Sequence, residues 1–292
     1  MYPAAVDYRR ASTLEEALAI LAADGSRAKV LAGGHSLLPM MKLRLSNPGL
    51  LVDIGRLPEL RGIRREGDRL VIGALTTHHE VETSPLVREA CPVLAEAAAE
   101  VGDMQVRNRG TVGGNLAHAD PASDLPAVAV ALDAELVIAG AGGRRRTAAI
   151  GDFILGPLVT ALGADELLVE LRVPVLAGRT GSAYVKHPHP ASGYAVVGVA
   201  AVLTLGPDGT CQSARVGITG VSDRAYRASG VEQVIVGRPL DDATLRDAAA
   251  KAADGVTVNS DLYASDAYRA HLSRVYAERA LRLAAQRARA AS

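Results

Sequence analysis

Ala32-Gly33-Gly34-His35-Ser36-Leu37-Leu38-Pro39 and Arg107-Asn108-Arg109-Gly110-Thr111-Val112-Gly113-Gly114-Asn115 are the two stretches on which the reading of this chain turns. The first follows directly on a short predicted strand, Lys29-Val30-Leu31-Ala32. Each stretch sets two adjacent glycines where backbone N–H groups can converge on an anion with no Cβ in the way. Ser36, Thr111 and Asn115 add side-chain donors beside them. Neither stretch runs on into the Gly-Lys-Ser/Thr of a P-loop, and neither spells Gly-x-Gly-x-x-Gly. With no lysine in either double-glycine segment to meet a γ-phosphate, the pair suits a pyrophosphate diester better than a triphosphate awaiting hydrolysis. From the residues alone the reading stops at a dinucleotide or similar anion. The alternative, that the glycines only make turns, stays open.

Outward from these loops, Ser12-Thr13-Leu14-Glu15 opens a helix in capping-box fashion, with Leu14, Leu18 and Leu21 on one face and Asp24-Gly25 at its end. Strands are predicted at Leu50–Ile54 and Leu70–Ala74, and a Thr of Thr76-Thr77-His78-His79-Glu80 caps the next helix. A helix is expected over 85–101, another over Ala127–Leu132, then strands over Ala134–Ala139 and Glu166–Val173. Past a boundary near Val175–Thr180 the pattern turns antiparallel. Ala195–Leu205 and Ser213–Thr219 flank the turn Pro207-Asp208-Gly209, which reads as a hairpin, and helices are expected around Gly230–Ile235, Asp242–Ala253 and Asp266–Arg287.

A length of 292 residues, 49% of them apolar, implies about two domains with ample cores. The 32 basic and 32 acidic side chains balance, there is no Trp, and Phe153 is the single Phe, so a nucleic-acid surface is not expected. The longest apolar run, Ala195–Leu205, is about half the ~20 residues that span a bilayer. With no export signal visible, a cytoplasmic location is expected. Cys91 and Cys211 stand far apart and outside any Cys-x-x-Cys pair, so a structural zinc or an iron–sulfur cluster lacks its ligands here. Any redox chemistry must therefore use an organic cofactor. His78-His79 and His187/His189 invite a metal reading, but neighbouring helical side chains point about 100° apart and no acidic or thiol cluster accompanies them.

At this point the sequence resembles the medium, flavin-carrying subunits of molybdenum hydroxylases, the family of aerobic carbon monoxide dehydrogenase and xanthine dehydrogenase. The resemblance rests on Ala32–Pro39, on Arg107–Asn115 with the following Ala119-Asp120-Pro121-Ala122-Ser123-Asp124-Leu125-Pro126, and on Asn259-Ser260-Asp261-Leu262-Tyr263. It implies an α+β fold: a two-subdomain FAD-binding domain of the vanillyl-alcohol-oxidase/PCMH type over 1–177 (subdomains about 1–57 and 58–177), then a small antiparallel-sheet-plus-helices domain over 178–292. It also implies that the loops Ala32-Gly33-Gly34-His35-Ser36-Leu37 and Thr111-Val112-Gly113-Gly114-Asn115 wrap the pyrophosphate of a non-covalently held FAD. Asp124 then contacts the adenosine side, or caps a helix, or both. Leu168 lines the flavin, Lys186 stands near the isoalloxazine, and Tyr194 shields the ring. Many relatives carry Arg-Arg and an Asp just before that aromatic, where this chain has His187-Pro188-His189-Pro190-Ala191-Ser192-Gly193.

The activity so implied is that of an electron-transfer subunit with no side-chain general acid or base of its own. A large molybdenum-pterin subunit and a small subunit with 2Fe–2S clusters are the implied partners, as a dimer of heterotrimers. Electrons would leave through FAD to quinone, NAD or oxygen, with membrane association at most peripheral, at the inner face. The full-length pattern points first to the carbon monoxide branch. Two alternatives stand beside it: a self-sufficient FAD-dependent reductase of the same fold, and a non-redox anion-binding or assembly module.

Overall fold

The computed structural model describes residues 2–291. Its first layer is a wholly parallel three-stranded sheet in the order Asp7–Arg10, Leu50–Asp53, Ala28–Leu31. Parallel neighbours cannot be joined by a tight turn and need a crossover. The helix Leu14–Asp24 supplies one and buries Leu14, Ala17, Leu18 and Leu21. Its cap is Thr13, whose hydroxyl accepts from the Glu16 amide, one residue later than the sequence pattern suggests. The other crossover leaves the carboxyl end of Ala28–Leu31 straight into the first glycine loop and the short helix Leu37–Lys42. Carboxyl ends of parallel strands are where open α/β sheets receive ligands.

The second layer is a five-stranded antiparallel sheet, ordered Ile63–Glu66, Arg69–Gly73, Glu166–Pro174, Glu135–Gly140, Arg144–Ala149. Its central strand Glu166–Pro174 is covered on both faces, which explains why it reads as a nearly continuous apolar run. Leu167 and Val169 join the core under the parallel sheet, while Leu168, Leu171 and Val173 join the core under the helices. The run expected to form one helix over 85–101 is instead two, Pro85–Ala90 and Pro92–Ala99. Pro92 has no amide to donate and disfavours helical geometry at Cys91, so the chain breaks there and restarts.

The third layer is a four-stranded antiparallel sheet, Thr180–Pro188, Ala195–Leu205, Cys211–Thr219 and Tyr226–Arg227. The predicted hairpin is present, with Gly209 at φ 83°. Helix Asp266–Ala290 packs against the first two strands, and helix Asp124–Ala131 against Ala195–Leu205 and Cys211–Thr219. Both packings use a glycine. A Cβ on Gly181 would stand 2.0 Å from the Ala284 carbonyl oxygen, and one on Gly217 would stand 2.0 Å from that of Ala127. Helix Asp124–Ala131 is buried at every residue. That accounts for its lack of a polar face: it is wedged between layers rather than laid on a surface. Among the described residues no helix is long and apolar enough to cross a membrane.

Candidate functional site

A cavity of about 740 Å³ opens where the three layers meet. It falls within the ~300–1,000 Å³ typical of small-molecule and cofactor sites. Both glycine loops line it, and so do Asp124, Leu168 and Tyr194, so residues from all three layers converge there. Of the residues expected at the site, Val112 and Lys186 do not reach it. Val112 is fully buried in the core. The Lys186 side chain is 1% exposed and lies behind Asp124, not at the cavity wall.

The two loops, alike in sequence, do different work. In the first, the amides of His35, Ser36 and Leu37 donate to no acceptor among the described residues, while Leu38 N already donates to Gly34 O at 3.1 Å. Gly34 takes φ 78°, a conformation that side chains resist, in a loop whose residues 32–37 line the cavity. Those three amides are the donors a pyrophosphate needs. Gly33 serves the loop in another way. A Cβ there would meet the Arg109 carbonyl oxygen at 2.1 Å, so its bareness lets the two loops touch.

The second loop is not a nest of free amides but the start of a helix, Val112–His118, capped by Thr111. Val112 N donates to Thr76 O, Gly113 N to Ala74 O, Gly114 N to Thr111 Oγ1 and Asn115 N to Thr111 O. Its contribution is closeness. A Cβ on Gly113 would stand 2.4 Å from Ala74 Cβ, so the helix start seats against the sheet. Gly114 faces the cavity, and a Cβ there would lie 3.9 Å from Ala32 Cβ across the slot. Asn115 Oδ1 accepts from Ser123 Oγ at 2.8 Å, which leaves its amide nitrogen free to donate. The cradle therefore fits a dinucleotide: one loop offers bare amides, the other a narrow glycine wall with a side-chain amide at its end.

Asp124 begins the buried helix Asp124–Ala131 and is 4% exposed. Tyr184 Oη donates to Oδ1 at 2.6 Å, and Lys186 Nζ donates to Oδ2 at 2.9 Å and to the Glu100 carbonyl at 2.8 Å. Burial pushes the Asp124 carboxyl up to about 6, against the pull of the Lys186 cation. The buried Tyr184 phenol is pushed well above its ordinary value by burial and by the Asp124 charge. Tyr194 sits at the lip, 42% exposed, on the segment 189–194, where the His189 amide donates to its carbonyl at 2.7 Å. Burial raises its phenol too, with Asp120 acting in the same sense and the Ser36 hydroxyl opposing.

The sequence reading weighed His78 only as a metal ligand and gave it no place at the site. Thr77 and Glu80 form a reciprocal capping box that places His78 at the first position of the helix His78–Thr83. There its ring lies under Gly110, whose Cβ would come within 2.8 Å of its Cδ2. His78 is 2% exposed, lines the cavity, and has no partner for Nδ1 among the described residues. Burial first, then the nearby Arg107 guanidinium, drops its pKa to about 4, so it is neutral at pH 7. The capping box was the signal that could have located it. The histidines of the 187–189 segment meet tyrosines instead: His187 Nδ1 lies 3.2 Å from Tyr276 Oη, and the His189 ring packs on Tyr263. Burial lifts the thiols of Cys91 and Cys211 to about 12 and about 11, so neither is a thiolate at neutral pH.

Comparison with known proteins agrees with this geometry. The family described as the FAD binding domain in molybdopterin dehydrogenase matches residues 4–176, and the CO dehydrogenase flavoprotein C-terminal domain matches 182–284. The chain is 45% identical over 238 residues to the carbon monoxide dehydrogenase medium chain of Hydrogenophaga pseudoflava, covering 82% of each. It is 38% identical to the 6-hydroxypseudooxynicotine dehydrogenase complex subunit alpha of Paenarthrobacter nicotinovorans, over 99% of this chain and 97% of the other. A solved carbon monoxide dehydrogenase from Hydrogenophaga pseudoflava superposes with a TM-score of 0.94 at 42% identity, covering 98% of this chain and 99% of that one.

Proposed function

We infer the function from one premise: the chain belongs to the family of FAD-binding subunits of molybdopterin dehydrogenases. It is an FAD-carrying oxidoreductase subunit, and in complexes of this family the molybdenum-pterin and iron–sulfur centres belong to other subunits. Beyond that, our reading is that it relays electrons from 2Fe–2S clusters of a small partner to an external acceptor, whether quinone, NAD or oxygen. Carbon monoxide is our first candidate for the substrate oxidised in the large partner. The relatives' names include carbon monoxide and nicotine-derived compounds alike, which agrees with a substrate decided outside this chain. A dimer of heterotrimers in the cytoplasm, and domains spanning 1–177 and 178–292, complete the proposal.

The observation that carries this reading is the cavity itself, lined both by the loop of His35, Ser36 and Leu37, whose amides meet no acceptor among the described residues, and by Gly114 across from Ala32. When bound, FAD supplies the exchange of one or two electrons that no side chain here can perform. The chain's residues bind and orient. The first loop and Asn115 would hold the pyrophosphate, Asp124 would accept a hydrogen bond from the adenosine side, and Leu168 and Tyr194 would enclose the ring. His35, whose Nδ1 lies 3.0 Å from the Gly33 carbonyl, shapes the loop.

The test is a visible spectrum of the complex purified from its native host. Flavin bands over broad iron–sulfur absorption, with two co-purifying chains, are expected. Flavin alone in a single-chain preparation active as a reductase would refute the relay, and a colourless protein that takes up no added FAD would refute the cofactor site.

A further inference from the structure

Lys186 and Tyr184 are two residues apart on the strand Thr180–Pro188, so both side chains leave the same face of the sheet. Both end on Asp124, one on each carboxylate oxygen. The Lys186 ammonium is sealed at 1% exposure, and its other hydrogen bond goes to the carbonyl of Glu100, the C-cap of the helix Pro92–Ala99. The negative end of a helix is a favourable seat for a cation. An ion pair this deep depends on its partners, and the Lys186 side chain, sealed behind Asp124, is not part of the cavity wall that Asp124 lines.

We propose that Lys186 is a positioning residue: it touches the cofactor nowhere and acts only through Asp124, keeping that carboxylate ionised and turned toward the dinucleotide. The inference rests on the proposed contact between Asp124 and bound FAD. An ionised carboxylate only accepts hydrogen bonds. With Tyr184 and Lys186 filling one site on each oxygen, the remaining lone pairs suit a hydroxyl or N–H of the ligand. The titratable groups facing Asp124 are Lys186 and Tyr184 from the strand, Glu100 from the helix end and Tyr194 from the lip. Of these, Lys186 is the cation. Removing it leaves a buried carboxyl with no counter-charge, which takes up a proton near neutral pH and loses its acceptor function.

The test is FAD affinity against pH, followed by flavin fluorescence on the full chain co-expressed with its partner chains and stripped of flavin. Wild type should lose affinity only below about pH 6, where Asp124 titrates. Lys186→Met should move that midpoint upward by about two units, giving binding roughly tenfold weaker at pH 7 and restored by pH 9. Asp124→Asn should bind weakly at every pH, and Asp124→Asn/Lys186→Met should match Asp124→Asn within about twofold. The double variant carries no buried charge, so this comparison holds even if Lys186→Met folds poorly. Equal loss at every pH in Lys186→Met, with a double variant weaker than Asp124→Asn, would establish direct contact and overturn the proposal. Unchanged affinity in Asp124→Asn would instead overturn the underlying contact, and the proposal with it.

Discussion

Replacing His78 by Leu should uncover a pH dependence of stability that the wild-type chain conceals. His78 binds its proton at about 4 in the folded chain and at its ordinary 6.5 when unfolded. Between those values the unfolded state holds more protons, so the native state loses stability as pH falls. Linkage puts the loss at about 2 kcal/mol by pH 5 and about 3 kcal/mol by pH 4. Asp124 acts in the opposite direction. Its carboxyl is raised from 3.8 to about 6, so between those values the native state holds more protons. Acidification through that window stabilises the fold by about 3 kcal/mol in full. The two buried groups nearly cancel, and wild type is expected to show little net contribution from them between pH 7 and 4. His78→Leu keeps a similar volume under Gly110, removes the unpartnered Nδ1 and leaves Asp124 alone. Urea unfolding of the flavin-free full chain at pH 7.5 and pH 5 tests this. The variant should gain about 2 kcal/mol on wild type between the two pH values. Parallel behaviour of the two proteins would refute the assignment of a buried neutral imidazole at this position.

The glycine loops should respond differently to a side chain. Gly114→Val narrows the slot facing Ala32 and displaces only the Thr111 hydroxyl, 2.8 Å from the new Cβ. FAD retention should fall at least tenfold while the melting temperature without flavin stays within a few degrees, read by flavin content and circular dichroism. Gly33→Ala drives a Cβ to 2.1 Å from the Arg109 carbonyl, so the loops must part, and both flavin content and flavin-free stability should drop. Arg269→Met should destabilise the third layer by about 3 kcal/mol in urea, because it leaves two backbone carbonyls unpaired. Those are Val196 O and Gly220 O, each bonded to Arg269 Nη1 in the fold.

Much of the architecture is legible in the chain because local rules and tertiary packing agree. The capped start of the first helix, legible to within one residue, the stripe Leu14–Leu18–Leu21 and the Pro207-Asp208-Gly209 hairpin each carry their own geometry. The break at Cys91-Pro92 is written there too, though it is easily overrun by the apolar pattern on either side. What single-chain reading cannot reach is direction and depth. Nothing local says that the first sheet is parallel, or that Lys186 ends behind Asp124, 62 residues away in sequence, rather than at the cavity wall.

The glycine loops show the same limit at the site itself. Two Gly-Gly pairs with neighbouring hydroxyl and amide donors look equivalent on paper, and symmetric roles follow naturally from that. In the fold the amides of Val112 to Asn115 are all taken up, while those of His35, Ser36 and Leu37, past the carboxyl end of a parallel strand, meet no acceptor among the described residues. The second loop returns beside Ala74 and Thr76, whose carbonyls take up its amides, and its glycines are spent on close approach. One loop therefore supplies charge complementarity and the other supplies shape. A pyrophosphate bound between them would owe its affinity mainly to the amides of 35–37, and its exclusion of bulkier anions mainly to Gly114.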